Sequence, residues 1–258
     1  MPRRINQGEL SMSCKRHPAF LFLLLSLLIL GATPAGAQDS APPAAAPTPT
    51  PTGYTPPADS RPLADDVTPR PMLAAMRAVG ETVPATWIKR TSRELGQSMI
   101  PQLFGKLQRK ETIAQLASDF REGYVQVFVE MPGFMQMTVV EMATPEAAAS
   151  FLTVNMDTLQ QQLDATDQVE DATVEIISEE KLGLDTVEQA FEQRYRLVLG
   201  DMTTNFLTFF AQNDKHMFSM TFTQMEIDTA QAHQVLQALV AAMGGDGAGE
   251  AAAPPAGG

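Results

Sequence analysis

The chain has 258 residues, a formal net charge of −12 and a single cysteine, Cys14. Cys14 lies ahead of the apolar run described next, so the chain beyond that run has no disulfide, thiolate metal site or cysteine nucleophile. The acid excess argues against nucleic-acid binding through phosphate neutralisation.

Residues 19–32, AFLFLLLSLLILGA, follow Arg3, Arg4, Lys15 and Arg16 and precede Ala35-Gly36-Ala37. A basic start, a short apolar run and a small-x-small site form a secretory signal peptide over 1–37, with cleavage expected after Ala37. An uncleaved anchor is the alternative, and Met12 would give a more usual start. Export implies a periplasmic or extracellular protein. Loss of 1–37 removes four basic groups and one acid, leaving 14 basic and 29 acidic residues and a net charge of −15.

Residues 38–71 are rich in Pro, Ala and Thr, and ten of the nineteen prolines lie in 41–71. Proline fixes φ and lacks an N–H, so an extended, disordered linker is expected. The tail, 244–258, is low in complexity and is expected to be disordered. A single domain is expected between them, over 72–243.

Within it, 72–120 is expected to be helical. Met72–Val79 is a short candidate. Thr91-Ser92-Arg93-Glu94 has the form of a capping box, and Leu95, Met99, Leu103 and Leu107 recur every four residues. From Tyr124 the period becomes two, first through 131 and then through FMQMTVVEM after a turn. Thr144 caps a helix with Pro145 in its first turn, whose apolar stripe is Ala148, Leu152, Met156, Leu159 and Leu163. Four further strands follow over 173–180, 190–199, 202–212 and 216–224, with Gly200-Asp201 and Asn213-Asp214 at the turns. Asp228 opens a last helix, with Ala232, Leu236, Leu239, Val240 and Met243 as its core face. The class is α+β: a twisted antiparallel sheet of about six strands with packed helices, in the order ββαββββα, preceded by a helical segment.

This order, with the TPEAA helix opening at 144–148 and Pro84-Ala85-Thr86-Trp87 upstream, resembles the PsbP-like superfamily of exported α+β domains over residues 124–243. The resemblance implies a binding or accessory module of the cell envelope. It supplies no shared catalytic residues.

The stretch 130–137, EMPGFMQM, holds three methionines at a hairpin tip. Thioethers suit Cu(I), so Met131, Met135, Met137 and His216 form one candidate soft-metal set. A three-residue loop over 132–134 would pair Met131 with Met135 and Val129 with Met137. That register buries the methionines in the core, the favoured reading. Met217 and Met220 are three apart and should face opposite ways. His216 is expected to be exposed, and His233 to be a surface or satisfied helix residue.

No nucleotide, zinc or nucleophile-elbow motif is present, and no cofactor is expected. In strand 190–199, Glu192, Arg194 and Arg196 should line a solvated face or a polar binding surface. Residues 77–121 hold eight basic groups against four acids. Lys89, Arg90, Arg93, Lys106, Arg109 and Lys110 dominate; the favoured reading is that they neutralise the acidic remainder of the chain, and the alternative is a surface for an acidic protein partner or anionic membrane. The favoured function is an exported, non-enzymatic binding or accessory module of a bacterial envelope, with a protein or envelope partner. The alternatives are a Cu(I)-binding protein and a carboxylate-dependent hydrolase.

Overall fold

A computed structural model of the chain describes residues 56–244, apart from 65–66, 105–107, 131–132, 185–186 and 225–227. The expected signal peptide, most of the expected linker and the expected tail lie outside the described residues, as does the side chain of Met243. Among the described residues no helix is long and apolar enough to cross a membrane.

Eight strands form one antiparallel sheet: β1 (Arg61–Pro62), β2 (Ile88–Glu94), β3 (Phe120–Glu130), β4 (Gly133–Met142), β5 (Ala172–Lys181), β6 (Gln189–Leu199), β7 (Met202–Asn213) and β8 (His216–Gln224). Their order is β1-β2-β3-β4-β8-β7-β6-β5. The helices are α1 (Pro71–Thr82), α2 (Met99–Phe104), α3 (Lys110–Asp119), α4 (Pro145–Asp167) and α5 (Thr229–Gly244). The α+β class and the ββαββββα core stand as expected. The chain leaves the middle of the sheet at β4 and crosses along α4 to the far edge. It then meanders back through β5, β6 and β7 until β8 pairs with β4.

The strand count of six is corrected to eight. Thr91–Glu94 lies in β2 and not on a helix: it pairs antiparallel with 124–127 of β3, and the Glu94 carboxylate meets Arg61 and Arg70. β1 falls inside the expected linker. Pro57 and Ala58 accept backbone hydrogen bonds from Gln97 and Ser98, so the distal end of that segment belongs to the fold. Pro101 sits in the first turn of α2, where a missing N–H is cheap.

Both sheet faces are covered. On one, α1 and α5 pack on Tyr124, Phe128, Met135, Met137, Val139, Phe209 and Phe222. On the other, α2, α3 and the first half of α4 pack on Val125, Val140, Phe210 and Met217. A smaller cluster on that second face joins Leu163 of α4 to Tyr195, Leu197 and Phe206. Thr144 Oγ1 accepts from Ala147 N at 3.2 Å, as its capping role requires. β5 is an edge strand, guarded by Glu175, Glu179, Glu180 and Lys181 and by a register shift at Ile177.

The β3–β4 register is also corrected. Glu130 pairs with Gly133, Phe128 with Met135, and Gln126 with Met137. β3 ends at Glu130 and β4 starts at Gly133, which excludes a loop over 132–134. The expected three-residue loop assumed that only one face of the hairpin was buried. With helices on both faces, Phe128 and Met135 serve one core while Val127 and Phe134 serve the other face. Gly133 is required by close approach: a Cβ there would lie 2.1 Å from the Thr223 carbonyl oxygen of β8. Gly133→Ala therefore forces β4 and β8 apart and is expected to cost about 1–3 kcal/mol in urea unfolding.

Candidate functional site

Strand register brings four polar side chains into one row. Gln136 of β4 is opposite Thr221 of β8, Thr221 is opposite Thr208 of β7, and Thr208 is opposite Gln193 of β6. The row spans three strand spacings, about 15 Å. All four residues are buried, and they separate the two apolar clusters on the α4 side of the sheet. Polar atoms placed there need hydrogen-bond partners.

α4 roofs the row. Asn155, Thr158 and Gln162, at helical spacing, look onto a half-open cavity of about 100 Å³ above Gln136, Thr208, Ser219 and Thr221. Phe104, Phe210, Leu103 and Leu159 supply its apolar wall, and Tyr195 closes one side. Thr208 and Thr221 share a hydroxyl–hydroxyl bond of 3.3 Å. Burial pushes the Tyr195 phenol well above its ordinary value, although Thr208 bonds it, so it stays protonated. Tyr195 stacks on Phe206 at 4.6 Å. Two of the lining residues, Gln136 and Thr158, each carry a buried side-chain oxygen, Oε1 and Oγ1, with no hydrogen-bond partner within the protein, and both residues are 6 % exposed. No acid, histidine, lysine or arginine stands among the described lining residues.

The expected soft-metal set does not converge. Met135 and Met137 are buried on the α1/α5 side, opposite Phe222 and Met220. His216 is opposite Glu141, four residues along β8 from Met220, about 13 Å away. It is half-buried rather than exposed, and burial lowers its pKa. Met131 lies outside the described residues. Met217 and Met220 do face opposite sides, in different clusters. Met135→Leu with Met137→Leu keeps volume and apolarity, so unfolding is expected to shift by less than about 1.5 kcal/mol.

The basic residues do not form one surface either. Lys89 lines a groove with Gln126 and Phe128 on the α1 side. Arg90 sits at a register shift of β2, Arg93 bonds the Ser60 carbonyl, and Arg109 and Lys110 open α3 on the opposite face. Lys106 lies outside the described residues.

The solvated-face reading of β6 holds for Arg196, which pairs with exposed Glu175 at 3.1 Å. It fails for Glu192, which is 1 % exposed and holds both Arg194 and His233. His233, expected to be a surface or satisfied helix residue, is satisfied by this carboxylate at 2.6 Å. Two acids, Asp119 and Glu146, are among the residues lining a groove of about 440 Å³ between α3 and α4. The backbone at the helix start and Thr144 hold Glu146 below the usual carboxylate range, the state of a capping group rather than of a general acid. Among the described residues no group of three or more His, Cys, Asp or Glu could hold a metal ion.

No family model matches the chain, and no curated protein matches it. Two solved structures are similar at low identity. An uncharacterised protein of Mycobacterium smegmatis matches at 12 % identity and TM-score 0.37, covering 66 % of this chain and 95 % of its own. The extracellular domain of PknH from Mycobacterium tuberculosis matches at 10 % identity and TM-score 0.39, covering 70 % and 96 %.

Proposed function

We propose that the chain is an exported recognition module of a bacterial envelope, carried on a proline-rich stalk, which binds its ligand without converting it. The observation that carries this reading is the lining of the cavity under α4. General acid–base catalysis needs a titratable group within about 3 Å of the reacting atom. The described lining offers amides, aliphatic hydroxyls and one phenol held in its protonated form. Such a set orients a ligand and discriminates among ligands, but it does not move protons at neutral pH. The signal-like segment 1–37 and the linker support export, and the PsbP-like order of elements over 124–243 supports an accessory role.

Native mass spectrometry of the protein recovered from its own exported fraction tests this. The expected result is a chain beginning at Gln38 with a non-covalent organic mass that is released unchanged. A bare chain, or an added mass that is consumed on incubation, overturns the reading. An adduct of copper would instead make the chain a metal handler.

A further inference from the structure

We infer that the cavity between α4 and the sheet takes a small neutral polyhydroxylated ligand, a polyol or the hydroxyl-bearing edge of a sugar ring. This deepens the recognition reading above and rests on it. Three features of the lining point to that chemistry. Gln136 Oε1 and Thr158 Oγ1 come from opposite walls, one on β4 and one on α4, and neither has an intramolecular partner although both residues are more than nine-tenths buried. Leaving such an atom unsatisfied is costly, so an occupant that bonds both recovers that cost. A carboxamide oxygen accepts and a hydroxyl both donates and accepts, which matches the mixed donor–acceptor character of an alcohol group.

Charge is the second feature. The described lining holds none, so a phosphate, carboxylate or ammonium would enter desolvated and unpaired. Neutral ligands avoid that penalty. The third feature is the division of the lining. Hydroxyls and amides stand on the sheet row and on α4, while Phe104, Phe210 and Leu159 form an apolar wall. A sugar ring presents the same division, with hydroxyls around its edge and C–H groups on its faces. The cavity of about 100 Å³ accommodates roughly three waters. It therefore encloses the edge of a ring, and the remainder of the ligand stays in the half-open mouth.

Saturation-transfer NMR on the chain from Gln38 tests this, with glucose, galactose and glycerol as neutral probes and glucuronate and glucosamine as charged ones. Neutral probes are expected to receive saturation at millimolar concentration, and the charged ones to bind at least about tenfold more weakly. Gln136→Leu with Thr158→Val is expected to abolish the transfer while unfolding at or above the parent temperature, because it removes two unpartnered polar atoms. Thr158→Val alone, which keeps the side-chain shape, repeats the test if the double variant does not fold. Equal binding by a folded variant overturns the proposal, and so does equal saturation of charged and neutral probes. Silent probes with an ionic or lipid mass seen in native mass spectrometry overturn the sugar class but leave the recognition reading standing. Silent probes with a bare chain overturn both.

Discussion

Phe209→Ala is expected to destabilise the domain by about 3–5 kcal/mol, about a fifth or more of the stability of an ordinary domain. Phe209 is 1 % exposed at the middle of β7. Its ring meets Phe222 edge-on at 6.5 Å and His233 of α5 at 5.3 Å. It therefore supports both the sheet and the last helix, and close-packed neighbours cannot collapse into the void its loss leaves. Trp87, the only tryptophan, belongs to the same cluster and meets Phe222 edge-on at 6.3 Å. Its fluorescence reports unfolding of this face directly. The midpoint should fall by about 6–20 °C for a domain of this size. A loss below about 1 kcal/mol would mean that α1, α5 and the sheet do not share one cooperative core. Set beside the near-neutral change expected for the paired Met→Leu variant, the contrast separates volume from residue identity. The methionines fill space that leucine also fills, whereas nothing replaces the ring.

Local signals were legible because their physics is local. The cap at Thr144 with Pro145 needs only the first turn of α4, and it formed as read. The tight turn at Gly200 was marked by its residue type, and Gly200 adopts φ +56°. The turn read at Asn213-Asp214 is also present, with Asp214 at φ +48°. Thr91–Glu94 was misread because a T-x-x-E pattern serves a helix start and a strand equally well. Pairing with distant β3 decides between them. The hairpin at 130–133 was misread for a related reason. Alternation identifies a register when one face is wet, and here neither face is. The polar row shows the limit most clearly. Gln136, Gln193, Thr208 and Thr221 lie on four strands, and no window of sequence contains two of the strands that place Gln136 beside Thr221. A single polar residue in a β run reads as a solvent-facing position. Its meaning changes only when the partner strands and the α4 roof are known.

Arg194→Ala with His233→Ala is expected to cost about 3–5 kcal/mol, more than either change alone. Glu192 faces α5 from β6, and its side chain is 2 % exposed. One carboxylate oxygen receives Arg194 Nε at 2.5 Å and the other meets His233 Nε2 at 2.6 Å. Glu180 stands directly opposite on β5 and Phe209 on β7, so neither cross-strand neighbour offers a compensating charge. With both partners gone, the carboxylate stays buried without compensation, and that residue of cost dominates over the lost contacts. Arg194 and His233 are 36 % and 39 % exposed, so removing Glu192 instead would leave groups that water can solvate. The asymmetry gives the decisive comparison. Adding Glu192→Leu to the double variant should restore most of the lost stability, because an apolar side chain suits the site once its hydrogen-bonding partners are absent. A triple variant no more stable than the double would show that packing of His233 against Phe209, and not the buried charge, fastens α5 to the sheet.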